Sequence, residues 1–505
     1  MLRYIIVSQE IENNDRRRFM QTTVPNFLRQ RACLSPTDPA VFIGEQTISF
    51  SELDREVQKW AAFLYGTGIR RQMSVAVCMH NSLQLVQIIF ALQYIGAVTV
   101  FINTRLTESE KLYQLGDSEV KFFLVSDESL AVFSECFVTW ILPSEPDVLA
   151  SDFDLSWLQM EFEMHGVATI MYTSGTTGKP KGVMQTYGNH YHSAIHSLLH
   201  MGYFPEDRWL IQLPIFHVSG YSTLMKSVVY GMPIVLPIHG QMEHILDEIQ
   251  KKKVTLLSWV AKNLQDVFQM QAVHKLTNIR GILLGGGPVP TTILKECHKE
   301  RLPIYLSYGM TETASQIVTL GGSDVYAKIG SVGKSLFLNQ IRIDNQEEPF
   351  EVGEILVKGP TVMKGYLNQA EETNRRMTAD GYFRTGDMGY FDADGFLYIV
   401  DRRNDLIISG GENIYPAEIE AKMMELGIFQ EVAVVGMSDA VWGAVPAVFY
   451  VPKQPFPYCE LDIHNMLKKS LSTYKLPKKY IMLSELPRNA LGKIQKIALQ
   501  NQLKD

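Results

Sequence analysis

Along most of the chain, short buried-looking runs alternate with longer stretches whose apolar positions recur every three to four residues. Ser49-Phe-Ser-Glu-Leu53 places Ser51 as the N-cap of a helix whose apolar face runs to Leu64. A strand at Ser74–Met79, a helix at Leu85–Tyr94 and a strand at Ala97–Ile102 follow, then a helix at Glu108–Gly116 and a strand at Val120–Val125. This spacing predicts a layered α/β sheet. The pattern repeats over 186–320, with helices at Asn189–His200, near Ser222–Tyr230 and at Met242–Lys251. Between and after them stand strands at Trp209–Leu213, Ile234–Leu236, Leu256–Trp259, Gly281–Gly285 and Pro303–Tyr308.

From about residue 330 the texture changes. Short β segments at 340–344, 353–358, 389–391 and 395–400 are cut by Gly, Asp and Asn turns, which predicts a small barrel. Beyond Asp401-Arg-Arg-Asn-Asp405 the remaining residues carry strand and helix signals of their own, enough for an independent α+β domain. The expected fold class is α/β and α+β multidomain. It has an extension over 1–19, a large core over 20–401 (two layered α/β subdomains plus the barrel) and a small domain over 402–505.

Composition narrows the function. A length of 505 residues is too great for one compact core. A net charge of −7 argues against a nucleic-acid partner held by phosphate neutralisation. The longest apolar stretch, Leu85 to Ile102, is interrupted by Gln87, Gln93 and Gly96, so it reads as a buried helix and strand and no integral membrane contact is expected. Met1-Leu-Arg-Tyr-Ile-Ile-Val7 is too short for a signal core. The five cysteines are scattered and lack metal spacing, which fits a reducing cytoplasm. The sequence leaves a homo-oligomer open.

The segment Tyr172-Thr-Ser-Gly-Thr-Thr-Gly-Lys-Pro-Lys-Gly-Val183 packs hydroxyls and glycines against two lysines, directly after the apolar run Val167–Met171. Glycines let backbone N–H groups converge on an anion, hydroxyls add donors, and lysine adds charge that can follow a moving phosphate. It is not a Walker A loop: two residues separate Gly175 from Gly178, and Lys181-Gly-Val-Met-Gln185 reads as a second strand, not a helix start. His192, His196 and His200 recur on one helix face, but no carboxylate or cysteine stands at companion spacing, so surface or interdomain histidines are the better reading.

Further segments follow in order. They are Leu213-Pro-Ile-Phe-His-Val-Ser-Gly220, Gly285-Gly-Gly-Pro-Val-Pro290, Leu306-Ser-Tyr-Gly-Met-Thr-Glu-Thr313 and Tyr382-Phe-Arg-Thr-Gly-Asp-Met-Gly389. Asp401–Asn413 and Leu486-Pro-Arg-Asn-Ala-Leu-Gly-Lys-Ile494 complete the set. Together with the phosphate loop they resemble the adenylate-forming superfamily of acyl-CoA synthetases, luciferases and peptide-synthetase adenylation domains. The resemblance runs from about residue 25 to the C-terminus.

That resemblance implies ATP, Mg²⁺ and coenzyme A as co-substrates and cofactors, a small carboxylate as partner, and a set of roles. Thr173, Ser174, Gly175, Thr176, Thr177, Gly178 and Lys179 would grip the β- and γ-phosphates. Gly285, Gly286, Gly287 and Pro288 would form a flat wall for adenine facing Tyr308, continued by Gly309, Met310 and Thr311. Asp387, with Arg402 beside it, would take the ribose hydroxyls. Glu312, with Thr176, would hold Mg²⁺, since a hard cation prefers oxygen. Lys493 would stabilise charge at the α-phosphate as the carboxylate attacks. The family's C-terminal domain is mobile and rotates between its two half-reactions about a hinge that maps to Asn404, where many relatives carry aspartate. His217 would stand at the mouth of the thiol channel, although a histidine beside Phe216 also suits a satisfied core position.

The finer resemblance is to the o-succinylbenzoate–CoA ligase subfamily of menaquinone synthesis, carried by Leu213–Ser222, Lys226–Gly231 and Gly309–Thr319. A second carboxylate and a ketone on the substrate require buried donors, and Ser315 with Gln316 supplies polar groups where a fatty-acyl tunnel would be apolar. Ser219 and Gly220 would line the aryl end. The alternatives are a fatty-acyl or aryl-acid CoA ligase, a stand-alone carrier-loading adenylation domain, and a nucleotide-binding regulator without catalysis. Glu312, Asp387, Arg402 and Lys493 argue against the last.

Overall fold

A computed structural model describes residues 23–146, 156–173, 180–287, 289–402, 406–487 and 494–503. The expected extension over 1–19, residues 174–179, Pro288, Asn404 and Lys493 lie outside the described residues, and for Arg402 only the backbone is described.

The first long helix, Phe50–Gly66, is capped by Ser49 rather than Ser51. The Ser49 hydroxyl accepts the Glu52 amide at 3.2 Å, and the Glu52 carboxylate accepts the Ser49 amide at 2.8 Å. This reciprocal Ser-x-x-Glu box satisfies two orphan donors at once, which fixes the start two residues earlier than the apolar period suggests. The Leu83–Ile95 helix begins on Ser82 and stops at Gly96, whose φ of +76° is the left-handed turn that glycine supplies freely.

Seven strands form the first sheet, in the order Gly365–Tyr366, Lys181–Thr186, Val167–Thr173, Val98–Phe101, Ser74–Cys78, Phe122–Val125, Val138–Ile141. Its five strands from Val167–Thr173 to Val138–Ile141 pair in parallel. A second sheet of thirteen strands has its own parallel centre, in which Ile304–Met310, Gly281–Leu284, Leu256–Trp259, Trp209–Leu210 and Ile234–Leu236 are neighbours. The largest apolar cluster unites Val75 and Val77 of the first sheet with Val41, Ile234 and Leu236 of the second, through Leu53, Leu85, Ile89 and Leu224 of the helices between them. The helices are therefore a layer shared by both sheets, and this is why Leu83–Ile95 is buried almost all round.

The short strands expected as a barrel wrap a core of Tyr308, Ile317, Ile343, Ile355, Val357 and Leu397. They are also continuous with the second sheet, joined through Ser315–Gly321 and Ser331–Ser335. A third, five-stranded sheet lies in the C-terminal region, and its two apolar clusters draw only on residues 407–503. No described helix is long and apolar enough to cross a membrane.

Candidate active site

In parallel sheets the space beyond the carboxyl ends of the strands is open for ligands. Phe101 and Asn103, Trp259 and Val260, and Leu283 and Gly285 all line one cavity of about 520 Å³ at those ends. Thr173, at the last position of its strand, also lines it and pairs in antiparallel register with Lys181. The segment expected to hold phosphate thus joins two adjacent strands. Of the two lysines flanking Pro180, the described one, Lys181, is buried and binds the Glu372 carboxylate at 2.6 Å. Burial pushes the Glu372 carboxyl up, but Lys181, Arg375 and Arg376 outweigh it and hold it down at about 2.

The Thr311–Thr313 turn is built on unusual backbone. Ala314 and Ser315 have φ of +53° and +98°, a region that side chains rarely adopt without support. The support is the fully buried Thr313 hydroxyl, which accepts the Met310 amide at 3.0 Å and donates to backbone carbonyl oxygens of Met310 and Ser315. The Gln185 amide also donates to the Thr311 carbonyl. At Gly309 any Cβ would collide with the Ser315 carbonyl, so the close return of the chain requires glycine there. The turn sets Glu312 with one carboxylate oxygen accepting the Tyr366 hydroxyl at 2.8 Å. Among the described residues no three His, Cys, Asp or Glu side chains cluster for a metal. A single carboxylate fits Mg²⁺, which is commonly held by one or two carboxylates plus substrate phosphates.

Tyr308 differs from the expectation. It is 1 % exposed, sits in the barrel core, and donates its hydroxyl to Asp387 at 2.7 Å. Strand alternation explains this: Ser307 and Gly309 reach the cavity, and the residue between them faces the other way. Asp387 is buried, with its strand in register with Arg402. Gly287 lies instead against Ile408 of the C-terminal region.

Gly286, Met310, Thr311, His217, Ser219, Ser222, Ser315 and Gln316 reach the cavity as well. Gly220 does not line it: at the start of the Val218–Tyr230 helix it packs against the Pro214 carbonyl, where a Cβ would not fit. The acyl side is polar. Ser222 Oγ donates to Ser315 Oγ at 3.4 Å, and the buried Gln316 keeps its side-chain oxygen without a partner among the described residues.

One turn past Ser222 stands Lys226, which the sequence reading gave no role. It is 0 % exposed, its Nζ has no hydrogen-bond partner among the described residues, and it lies 4.5 Å above the Trp209 ring. Trp209 in turn donates to Ser258 Oγ in the cavity wall at 3.0 Å. Burial lowers the Lys226 ammonium from 10.5 to about 7. The available signal was a lone cation in an otherwise apolar and small-residue helix.

The C-terminal region closes one side. Gly410, Gly411 and Glu412 line the cavity, and Glu412 accepts from both His217 Nε2 and Arg105 at 3.1 Å. Burial raises the Glu412 carboxyl, but His217 and Arg105 together hold it below its usual range. The histidines at 192, 196 and 200 stand apart from this site. His196 is buried beside Asn339 Nδ2 at 3.2 Å, with burial lowering it to about 4, and His192 Nδ1 meets the Gly188 carbonyl at 2.7 Å.

A phosphate-loop hairpin, a carboxylate on a strained turn and a cavity shared by two lobes define an adenylate-forming enzyme. Residues 28–367 match the model of the AMP-binding enzyme family and 418–493 that of the AMP-binding enzyme C-terminal domain, so the chain belongs to the AMP-binding enzyme family. Within it, the chain is 44 % identical to a 2-succinylbenzoate–CoA ligase of Oceanobacillus iheyensis, over 94 % of this chain and 98 % of that one. Two solved structures of the Bacillus subtilis o-succinylbenzoate CoA synthetase are each 42 % identical and cover 96 % of this chain and 99 % of theirs. A double mutant bound with the product analogue OSB-NCoA superposes with a TM-score of 0.88, and the complex with the acyl-adenylate OSB-AMP with 0.72.

Proposed function

We propose that this chain converts 2-succinylbenzoate and CoA to 2-succinylbenzoyl-CoA, using ATP and releasing AMP and pyrophosphate, in menaquinone biosynthesis. In the first half-reaction a carboxylate oxygen of the acid attacks the α-phosphorus. The new P–O bond forms as the bond to pyrophosphate breaks. In the second, the CoA sulfur attacks the acyl carbon, AMP departs with its oxygen, and the thiol proton is lost. Mg²⁺ at Glu312 supplies charge neutralisation on the phosphates. Lys179 and the hydroxyls around it hold those phosphates, Asp387 is the carboxylate for the ribose, and Lys493 stabilises the crowded charge at the α-phosphate.

The observation that carries the choice of acid is the polar acyl side of the cavity. Ser222, Ser315 and Gln316 line it, and the buried Lys226, one helical turn past Ser222 and without a hydrogen-bond partner among the described residues, suits an acid that brings a second carboxylate. A fatty-acyl chain would leave those polar groups unpaired.

The two-lobe reading is supported by the paired superpositions. The two Bacillus structures match this chain equally in sequence, yet their TM-scores differ by 0.16 (0.88 − 0.72), as a different placement of the lobes would give. The arrangement here, with Glu412 on His217, is the one for thiol transfer; rotation about Asn404, between a lobe over 20–401 and one over 402–505, would bring in Lys493. The test is pyrophosphate release across a panel of acids, with and without CoA. We expect 2-succinylbenzoate to exceed benzoate and octanoate; a preference for octanoate overturns the assignment.

A further inference from the structure

We infer that Lys475 is a positioning residue for the thiol-transfer half-reaction: with Glu110 and Ser472 it forms a buried clasp that holds the C-terminal lobe in its present place. The inference rests on the two-lobe reading above.

Glu110 belongs to the large lobe, at the third position of the Glu108–Asp117 helix, where its carboxylate accepts the Thr107 amide at 2.8 Å in a capping box. The same carboxylate reaches across to the other lobe. It accepts the Ser472 hydroxyl at 2.5 Å and the Lys475 ammonium at 2.6 Å. Lys475 also binds Glu418, in its own lobe, at 2.7 Å. The three charged side chains are only 4–7 % exposed. A few residues before Glu110, Arg105 grips Glu412 at 3.1 Å, so one short segment of the large lobe holds the small lobe at two points.

The chemistry makes this clasp specific to one arrangement. Two carboxylates share one ammonium, and the charges divide unequally. Glu110 lies below its ordinary range: burial pushes it up, but Lys475 and Ser472 and the capping amide outweigh that. Glu418 lies above its range, chiefly through burial, and retains a proton more readily. When the lobes separate, Glu110 loses Ser472 and Lys475 but keeps the Thr107 amide, an ordinary solvated cap. Removing the Lys475 charge strips Glu418 in both arrangements, where its readiness to hold a proton limits the cost, but strips the buried Glu110 in the closed arrangement alone, so the difference falls on that arrangement. Adenylation, which the family performs in the other arrangement, is spared.

The test separates the half-reactions in single-turnover experiments on the full chain. For Lys475→Met, we expect pyrophosphate release without CoA to stay within about twofold of wild type. Thioester formation from preformed acyl-adenylate should slow by roughly 10²-fold. Glu110→Gln, which keeps the shape and the cap acceptor, should slow the transfer by about tenfold and likewise spare adenylation. Equal losses in both halves, the signature of a merely structural role, overturn the clasp, and so does unchanged transfer in both variants. A wild-type chain that makes no acyl-adenylate from any acid in the panel would instead remove the reading on which the clasp rests.

Discussion

Two buried lysines are treated in opposite ways. Lys475, between the lobes, is surrounded by two carboxylates, which raise its affinity for a proton in spite of burial. Lys226, one helical turn past Ser222, has an aromatic face and no hydrogen-bond partner among the described residues, and burial alone brings it down to about 7. The difference shows what each charge is for. A paired ammonium fixes one part of the protein against another. An unpaired one is costly in the free protein, and on the function proposed above the second carboxylate of the acid completes it.

The largest effect follows from removing the unpaired charge. Lys226→Met should lower kcat/KM for 2-succinylbenzoate by roughly 10²–10³-fold, the scale for truncating one partner of a buried charge pair. The loss for benzoate, which lacks the second carboxylate, should be far smaller. Steady-state kinetics with both acids check this, and an equal loss for the two would mean that Lys226 is a packing residue. The same substitution should stabilise the free enzyme, and pH should reveal it. The folded ammonium titrates near 7 and the unfolded one near 10.5. Between those values the unfolded chain holds more protons, so stability rises with pH across the window. The penalty is complete below about 7 and fades toward 10.5. Chemical denaturation should show Lys226→Met more stable than wild type by about 4 kcal/mol at pH 7 and by less than about 1 kcal/mol at pH 10.

Proton uptake sharpens the contrast further. At pH 8.5 the free Lys226 is mostly neutral, so binding the dicarboxylate should draw in close to one proton (~1) as the ammonium re-forms. Calorimetry in buffers of different ionisation enthalpy measures this, with Lys226→Met expected to take up none. Lys475, charged throughout, contributes nothing to the uptake.

The elements that carry the contiguous motifs are legible from sequence, and the contacts made by distant pairing are not. The hairpin around the phosphate segment, the strand leading to Glu312 and the polar Ser315–Gln316 pair all follow from local composition. So does the alternation that builds two sheets around a shared helical layer. Lys226 was visible only as a residue type, because its meaning depends on what fails to approach it. The Glu110–Lys475 pair is separated by 365 residues, and no periodicity reports such a contact. Tyr308 shows a different failure: the motif names the residue, but strand parity decides which face it takes. The helix start at Ser49 was displaced by two residues because a capping box outweighs the apolar period there.

Tyr366 extends the comparison to a carboxylate that is half paired. Its hydroxyl occupies one oxygen of Glu312, 54 residues away in sequence, and thereby aims the other oxygen. Glu312 is thus between the two lysines in kind, partly fixed by the protein and, on the proposed reading, partly held for Mg²⁺. Tyr366→Phe removes the fixing bond and keeps the ring. A hydrogen bond to a charged group contributes about 1.5–3 kcal/mol, and water can replace part of it at this half-buried site, so adenylation should slow by about tenfold. The loss should shrink as Mg²⁺ is raised, because a loosely aimed carboxylate binds the ion more weakly without losing its charge. Selectivity between 2-succinylbenzoate and benzoate should not move, since on the proposed reading that choice is made at the acyl end and not at Glu312. Pyrophosphate release measured over a Mg²⁺ series with both acids tests the assignment, and a change in acid preference would show that the phosphate and acyl sides of the cavity are coupled through the Thr311–Thr313 turn.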